Sequence, residues 1–545
     1  MTRRRLTLRR LTLPRLLLAS GALAFSAPAG FAFTLNILHV NDQHSRIESI
    51  SKTDSTCSAE DEAAGECFGG AARMKTAVDA ARAAAAAAGE AIIMLDAGDE
   101  FSGSLFFNAF GGAAEAEFLN RLRIDAMAPG NHEFDRGPQA LAAFVDKADF
   151  PVVFGNLDVS GDARLGPLAA GPAVLEVGGV KIGIVGLITP ETAEIASPGP
   201  TVTFSDPTAY LAEQVAALKA QGVNHVIALS HQGDQADFAT AAAVDGVDAI
   251  IGGHTHTLFS NTIAGAVHPY PVMVAGPSGV KTPVVQAGSY SRYLGQLRLE
   301  FDDAGVVTAA TGDTLLLDRS VTPDPATLAR IAELGAPIAE LKAEVVAEIA
   351  APIDGSRESC RAGECEMGTL VAEAMLARTA GQGVTIALQN GGGLRASIDA
   401  GPVSKGEVLT VLPFQNTLST FNIPGAAIVA ALENGVSQVE EGGGRFPQVA
   451  GLTFAWDPKV APGQGRVRDV MVREGGAWVP IDPAKIYAAA TNNFLRNGGD
   501  GYAVLRDEST NAYDFGPGVD DVLTDYLVAN PRFTPFVDGR IRRVE

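Results

Sequence analysis

The sequence predicts an α/β protein of two domains, and three observations lead there. Between Leu35 and about Phe301, short apolar runs alternate with alanine-rich helical stretches, the pattern of strands joined by crossover helices. A second series of elements starts near Arg357 and runs to the end, with glycine-rich loops at 391–393, 442–444 and 498–501. The length, 545 residues, exceeds the size at which a single hydrophobic core stops growing.

The first 32 residues stand apart from both domains. Arg3, Arg4, Arg5, Arg9 and Arg10 precede an apolar run at 16–25, and Ala27, Pro28 and Ala29 follow as a cleavage site, which is the layout of an export signal. The run is too short to span a bilayer. Paired Arg9 and Arg10 suit the twin-arginine route and the general secretory route alike. In the first domain, 33–325, strands are expected at 35–40, 91–95, 152–154, 180–187, 225–229 and 249–251, and helices at 70–88 and 207–221. After Asp324 and Pro325 the apolar residues take helical spacing, so a linking helix is expected over 326–350 with a break near Gly335. The second domain is expected over 351–545. No later stretch offers about 18 uninterrupted apolar residues, and Arg540, Arg542, Arg543 and Glu545 close the chain, so no membrane anchor is expected. The mature product is expected to be periplasmic or secreted.

Charge narrows the partners. The leader carries six arginines and no acids, so its removal takes the net charge from −22 to −28. No basic stripe is visible, which argues against a nucleic-acid polymer. A small phosphorylated molecule stays compatible, because metal ions and a few arginines reverse the field locally. Four cysteines in an exported chain point to disulfides. Three pairings are formally open. The local one, Cys57 with Cys67 and Cys360 with Cys365, closes a short loop in each domain, and a four-cysteine zinc site lacks the usual close spacing.

Chemistry concentrates in five clusters, each just after an expected strand, where α/β folds build their sites. They are Asp42 and His44; Asp96 and Asp99; Asn131, His132, Glu133 and Asp135; His231; and His254 with His256. Singly, each reads as an ordinary loop pair. As an ordered set, mixed Asp, His and Asn donors suit two borderline divalent ions about 3.5–4 Å apart. Such a pair neutralises a phosphate ester and generates a hydroxide near neutral pH.

The segments ILHVNDQH, LDAGD, GNHEFD, LSHQGD and GGHTH resemble, in order, the five metal motifs of the calcineurin-like metallophosphoesterases, and within them the 5′-nucleotidases and UDP-sugar hydrolases. The resemblance implies a four-layer α/β/β/α domain. It implies Asp42, His44 and His256 as ligands of one ion, Asn131, His231 and His254 as ligands of the other, and Asp99 as the bridge. Asp96 is implied to be scaffold. The ions are zinc foremost, with manganese, cobalt or iron suited to the same donors. These nucleotidases often carry an amide where this chain has His256. The resemblance also implies a catalytic dyad in which Asp135 holds and charges His132 toward the leaving group; the alternative makes His132 a support for the ligands and Asp135 a helix cap.

CRAGECEMG, NGGGLR, VLPFQN and NFLRNGGDGY resemble the C-terminal, substrate-binding α/β domain of the same family, nearest in motifs to ecto-5′-nucleotidase. By that likeness Arg361, Asn390 and Arg395 hold the phosphate or ribose region, Phe414 and Phe494 sandwich the base, and Asp500 accepts from the ribose hydroxyls. The chemistry suits each role, although a phenylalanine is far more often core than platform. The expected function is hydrolysis of nucleoside 5′-monophosphates. Two alternatives stand beside it: a UDP-sugar or 2′,3′-cyclic-nucleotide hydrolase on the same scaffold, and a nucleoside-binding or adhesion protein with an inactive site.

Overall fold

The computed structural model describes residues 33–52, 57–339, 343–414, 416–514 and 516–544. The export signal expected over 1–32 lies outside the described residues. The first domain is built on two sheets. One has the order Val307–Leu316, Tyr293–Phe301, Phe33–Val40, Ala91–Asp96, Ala126–Met127, and the last three strands are parallel. The other runs Val272–Ala275, Lys281–Gln286, Ala249–Gly252, His225–His231, Val180–Ile188, Ala173–Val177, with parallel pairing from Lys281–Gln286 through Val180–Ile188.

The two sheets face each other through a core that includes Leu35, Ile37, Ile93, Ile184, Leu229 and Ile251. Each such side chain, fully buried, contributes about 1.5–3 kcal/mol. Outside the first sheet pack the helices Ala71–Ala88, Ala113–Leu122 and Pro138–Val145; outside the second pack Pro207–Ala220 and Asp234–Ala243. The result is the four-layer α/β/β/α arrangement. Local chemistry sets these helices: Gly89 in a left-handed conformation closes the first, and Asp206 caps Pro207–Ala220 with proline at its first position.

Two expected elements differ. Residues 152–154 form only isolated bridges, Val152 to Met127 and Val153 to Ala170. Pro151 before them has no N–H to donate, and Gly155 at φ 70° turns the chain away. The linking helix does not fill 326–350. It occupies Pro325–Gly335, capped by Asp324, passes into a 3-10 turn at Ala336–Ile338 around Pro337, and Val345–Ile349 is a strand pairing antiparallel with Gly401–Ser404. Ala339 and Ala343 are helical again after that turn, and valine and isoleucine at 345, 346 and 349 then favour the pleated form.

The second domain has a five-stranded sheet in the order Pro447–Ala450, Ile386–Asn390, Ile486–Asn492, Leu418–Pro424, Thr510–Tyr513. The helices Glu366–Thr379, Lys405–Val411 and Val519–Ala529 share one core with it, and Gly425–Gly435 with a four-stranded sheet shares the other. Leu409 joins Ile47, Phe106, Phe118, Ile331 and Ile338 in an apolar cluster that ties the domains together. Both local disulfides form, Cys57–Cys67 and Cys360–Cys365. Among the described residues no helix is long and apolar enough to cross a membrane.

Candidate active site

The parallel strands of both sheets deliver their C-terminal ends to one rim, so five loops distant in sequence meet there. The backbone is bent hard to bring them together. Of the thirteen non-glycine residues with positive φ among the described residues, ten line this region or its immediate loops, including Asp42, His44, Asp99, His254, His256 and Tyr290. Such conformations persist only where the surroundings over-determine them, and they cluster at functional sites. Close approach also needs glycine: a Cβ on Gly130 would fall 2.2 Å from Asp99 Oδ1, and one on Gly253 2.9 Å from His231 Nδ1.

Three overlapping donor groups result, Asp42 with His44 and His256, Asp99 with His231 and His254, and, sharing a residue with each, His44 with Asp99 and His132; the first and second are the pair that the motifs imply. In the first, His44 Nε2 and His256 Nε2 are 3.0 Å apart, and Asp42 Oδ1 lies 3.2 Å from His256 Nε2. In the second, Asp99 Oδ2 is 3.0 Å from His231 Nε2, and His254 Nδ1 is 2.9 Å from Asn131 Oδ1. Asp99 Oδ2 also reaches within 3.9 Å of His44 Nε2, between the two groups. Outer contacts aim these atoms. His44 Nδ1 lies 3.1 Å from the carbonyls of Phe101 and Ser102, and His231 Nδ1 2.6 Å from that of Ala97, which leaves each Nε2 facing inward. Asp42 Oδ2 accepts from Asn41 and from the His254 N–H, and Asp99 Oδ1 from the His132 N–H.

The inward atoms fit cations. Asp42 Oδ1 and His231 Nε2 are buried without a hydrogen bond; His231 Nε2 comes near Asp99 Oδ2 off the line that a hydrogen bond needs. Buried polar atoms left unpaired are costly, and a cation between them removes the cost. Burial holds His44 and His256 well below the ordinary imidazole value and brings His254 to about 3, so they stand as neutral donors. Burial pulls His231 down too, but Asp99 and Asp42 outweigh it and raise it to about 10, a measure of how strongly these carboxylates call for positive charge.

His132 and Asp135 meet at 2.7 Å through Nδ1 and Oδ2, and Ser102 Oγ donates to the same carboxylate oxygen. Burial opposes a charge on His132, yet Asp135 and Asp99 raise it above the ordinary value. Glu133, next in the chain, accepts from the N–H groups of Gly130, Asp99, Glu100 and Phe101 and so locks two of the loops together. Asp96 accepts from Gly98 N–H behind the site. Farther back, Ser45 Oγ donates to the buried Glu115.

The second domain closes over this rim and leaves a cavity of about 1040 Å³ whose walls include Asn131, His132, Arg361, Asn390, Arg395, Phe414, Phe494 and Asp500. Arg395 Nη2 lies 3.1 Å from His44 Nε2, and Arg46 Nη2 donates to the Arg395 carbonyl. Asn390 Nδ2 donates to Asp500 Oδ2 at 2.6 Å. Phe414 lies against His132, rings stacked at 5.5 Å and 20°, so an imidazole covers one of its faces in this conformation. Phe494 packs on Gly499.

Arg357 and Tyr290 also line the cavity, and sequence reasoning does not single them out. Arg357 is legible in retrospect as a second arginine one helical turn before Arg361. Burial, then Arg357 and Arg395, push Arg361 well below its ordinary value. Since a guanidinium stays charged, that crowding is stored affinity for an anion.

Comparison with known proteins agrees with this geometry. Residues 35–258 match the family model described as calcineurin-like phosphoesterase, and residues 338–507 the one described as 5′-nucleotidase, C-terminal domain. A 5′-nucleotidase of Homo sapiens is 35% identical over 535 residues, covering 94% of this chain and 92% of its own. The snake venom 5′-nucleotidase of Naja atra is 33% identical over 538 residues, covering 94% and 98%. The crystal structure of a 5′-nucleotidase precursor from Thermus thermophilus is 40% identical with a TM-score of 0.89, covering 94% of this chain and 99% of that one.

Proposed function

This chain belongs to the 5′-nucleotidase family of metallophosphoesterases, and from that membership we propose that it hydrolyses nucleoside 5′-monophosphates to nucleoside and phosphate. One observation carries the reading: two buried Asp/His donor groups with unsatisfied inward atoms share a cavity with a crowd of guanidiniums.

Asp42, His44 and His256 would hold one divalent ion, Asn131, His231 and His254 a second, and Asp99 both. Bound there, the two ions supply charge neutralisation at phosphorus and a water acidified toward neutrality. Arg357, Arg361 and Arg395 draw the phosphoryl oxygens in and orient them. Water adds to phosphorus as the bond to the ribose 5′-oxygen breaks, and protonated His132, kept charged by Asp135, gives that oxygen its proton. Asp500 and Asn390 receive the ribose hydroxyls, and Phe414 and Phe494 offer the base its platforms. The histidine-rich donor set favours zinc, with manganese, cobalt or iron also suited. Two disulfides support export to an oxidising compartment, periplasmic or extracellular.

A second reading, cleavage of UDP-sugars or 2′,3′-cyclic nucleotides, is favoured by the cavity's size, at the upper end for a small-molecule site, and by polar wall residues the first reading leaves idle, Glu191, Ser197, Gln235 and Thr257. Phosphate release from AMP, UDP-glucose and 2′,3′-cyclic AMP, with and without chelator, decides. Chelator-sensitive release from AMP is the expected result. Release only from the other two moves the assignment to the second reading, and no release from any, with no metal retained on dialysis, makes the protein a nucleoside-binding module.

A further inference from the structure

Tyr290 sits on a segment whose strained backbone is held in place by the loop that carries two of the candidate ligands. It has φ 62°, and Ser291 after it φ 55°, two consecutive left-handed residues with side chains. For a bulky aromatic residue this is an outlier that its surroundings must enforce. They do so through the loop bearing Asp42 and His44. Tyr290 N–H donates to the Asp42 carbonyl at 2.8 Å, Ser291 Oγ to Gln43 Oε1 at 3.0 Å, and Asn41 Nδ2 to the Gly288 carbonyl at 2.6 Å.

The ring is held as firmly. It stands edge-on to His256 at 5.2 Å and 85°, lies 5.7 Å from the His44 ring, and carries the Arg46 guanidinium 4.9 Å above its centre. The hydroxyl is different. It forms no hydrogen bond to another described residue, and the side chain is half-buried, so the hydroxyl is accessible from the cavity that Tyr290 lines. Tyr290 lines the cavity together with Arg357 and Arg361. A hydroxyl in the same cavity as these guanidiniums, without a hydrogen-bond partner among the described residues, is a donor that one more oxygen of a bound phosphoryl group would complete.

We propose that Tyr290 is a substrate-contacting residue, its hydroxyl donating a hydrogen bond to a non-bridging phosphoryl oxygen beside the donor group of Asp42, His44 and His256. The inference rests on the phosphate-ester reading of the cavity. The ring would serve as wall and spacer, and the hydroxyl as the recognition atom.

The test is Tyr290→Phe, which keeps the ring and removes one oxygen. Three quantities are compared with the wild type: bound metal by elemental analysis, affinity for inorganic phosphate by calorimetry on the metal-loaded protein, and kcat and KM on AMP. Metal content should match the wild type, while phosphate affinity and kcat/KM each fall about 10- to 100-fold, the scale of one hydrogen bond to a charged group. Unchanged phosphate affinity and turnover would overturn the proposal. So would loss of metal, which would make the tyrosine a support for the ligands. If the wild type released no phosphate from any nucleotide, the functional reading would fall, and the phosphate titration would still decide on Tyr290.

Discussion

Glu115 is a carboxyl with one oxygen bonded to Ser45 Oγ and the other, Oε2, without a partner, in a side chain only 2% exposed. Burial raises it from 4.5 to about 7, against the smaller opposing effects of Ser45 and Arg136. The folded protein therefore keeps this proton where the unfolded chain gives it up. Its stability is whole below pH 4.5, declines as the pH climbs toward 7, and is lower by a constant amount above that. A shift of this size corresponds to about 3 kcal/mol. Glu115→Gln keeps an acceptor for Ser45 and has no proton to lose, so the variant should escape the decline. Urea unfolding of both proteins from about pH 4.5 to 8, in chelator so that metal release does not enter, should show the variant gaining about 3 kcal/mol on the wild type across that interval. A difference flat with pH would refute the reasoning, whatever its absolute size.

Further outcomes follow from the site. His132→Ala should retain two metals per chain by elemental analysis and lose about 10²- to 10⁴-fold in kcat on AMP; unchanged turnover would remove the dyad with Asp135 from the mechanism. Asp99→Ala, which deletes the carboxylate lying between both donor groups, should lose metal on dialysis and with it all phosphate release, while chelated wild type should recover on adding a divalent ion. The wild type should prefer AMP over its 2′,3′-dideoxy analogue by about 10-fold or more in kcat/KM, and Asp500→Ala should erase that preference. If the variant still discriminates, the ribose is recognised elsewhere.

Much of this protein is legible in its sequence because the relevant information is local. Short apolar runs and alanine-rich stretches mark the strands Phe33–Val40, Ala91–Asp96, Val180–Ile188, His225–His231 and Ala249–Gly252 and the helices Ala71–Ala88 and Pro207–Ala220 to within two residues, but leave Ala113–Leu122, Pro138–Val145, Asp234–Ala243, Tyr293–Phe301 and Val307–Leu316 unread. Four of the five Asp, His and Asn clusters follow those strands directly, the one at 131–135 following the unread strand Ala126–Met127, and both disulfides span short loops. Where local signals conflict, reading the chain alone goes astray. Residues 152–154 look like a strand, but Pro151 withholds a donor and Gly155 turns away; apolar spacing over 326–350 looks helical, but a 3-10 turn interrupts the helix around Pro337 and Val345–Ile349 finds a strand partner at Gly401–Ser404.

What tertiary structure alone decides is which distant groups share a dielectric and a cavity. No pattern near Glu115 announces that it will face Ser45, seventy positions away, or that Glu133 will gather the N–H groups of residues 99–101. Nor does anything beside Arg357 or Tyr290 say that the second domain will fold one of them and the first domain the other onto the same wall. Residue type and spacing along the chain determine which chemistry the loops can carry. Burial, charge crowding and the absence of a hydrogen-bond partner exist only once the chain has closed on itself, and those are the quantities that turn a polar residue into part of a site.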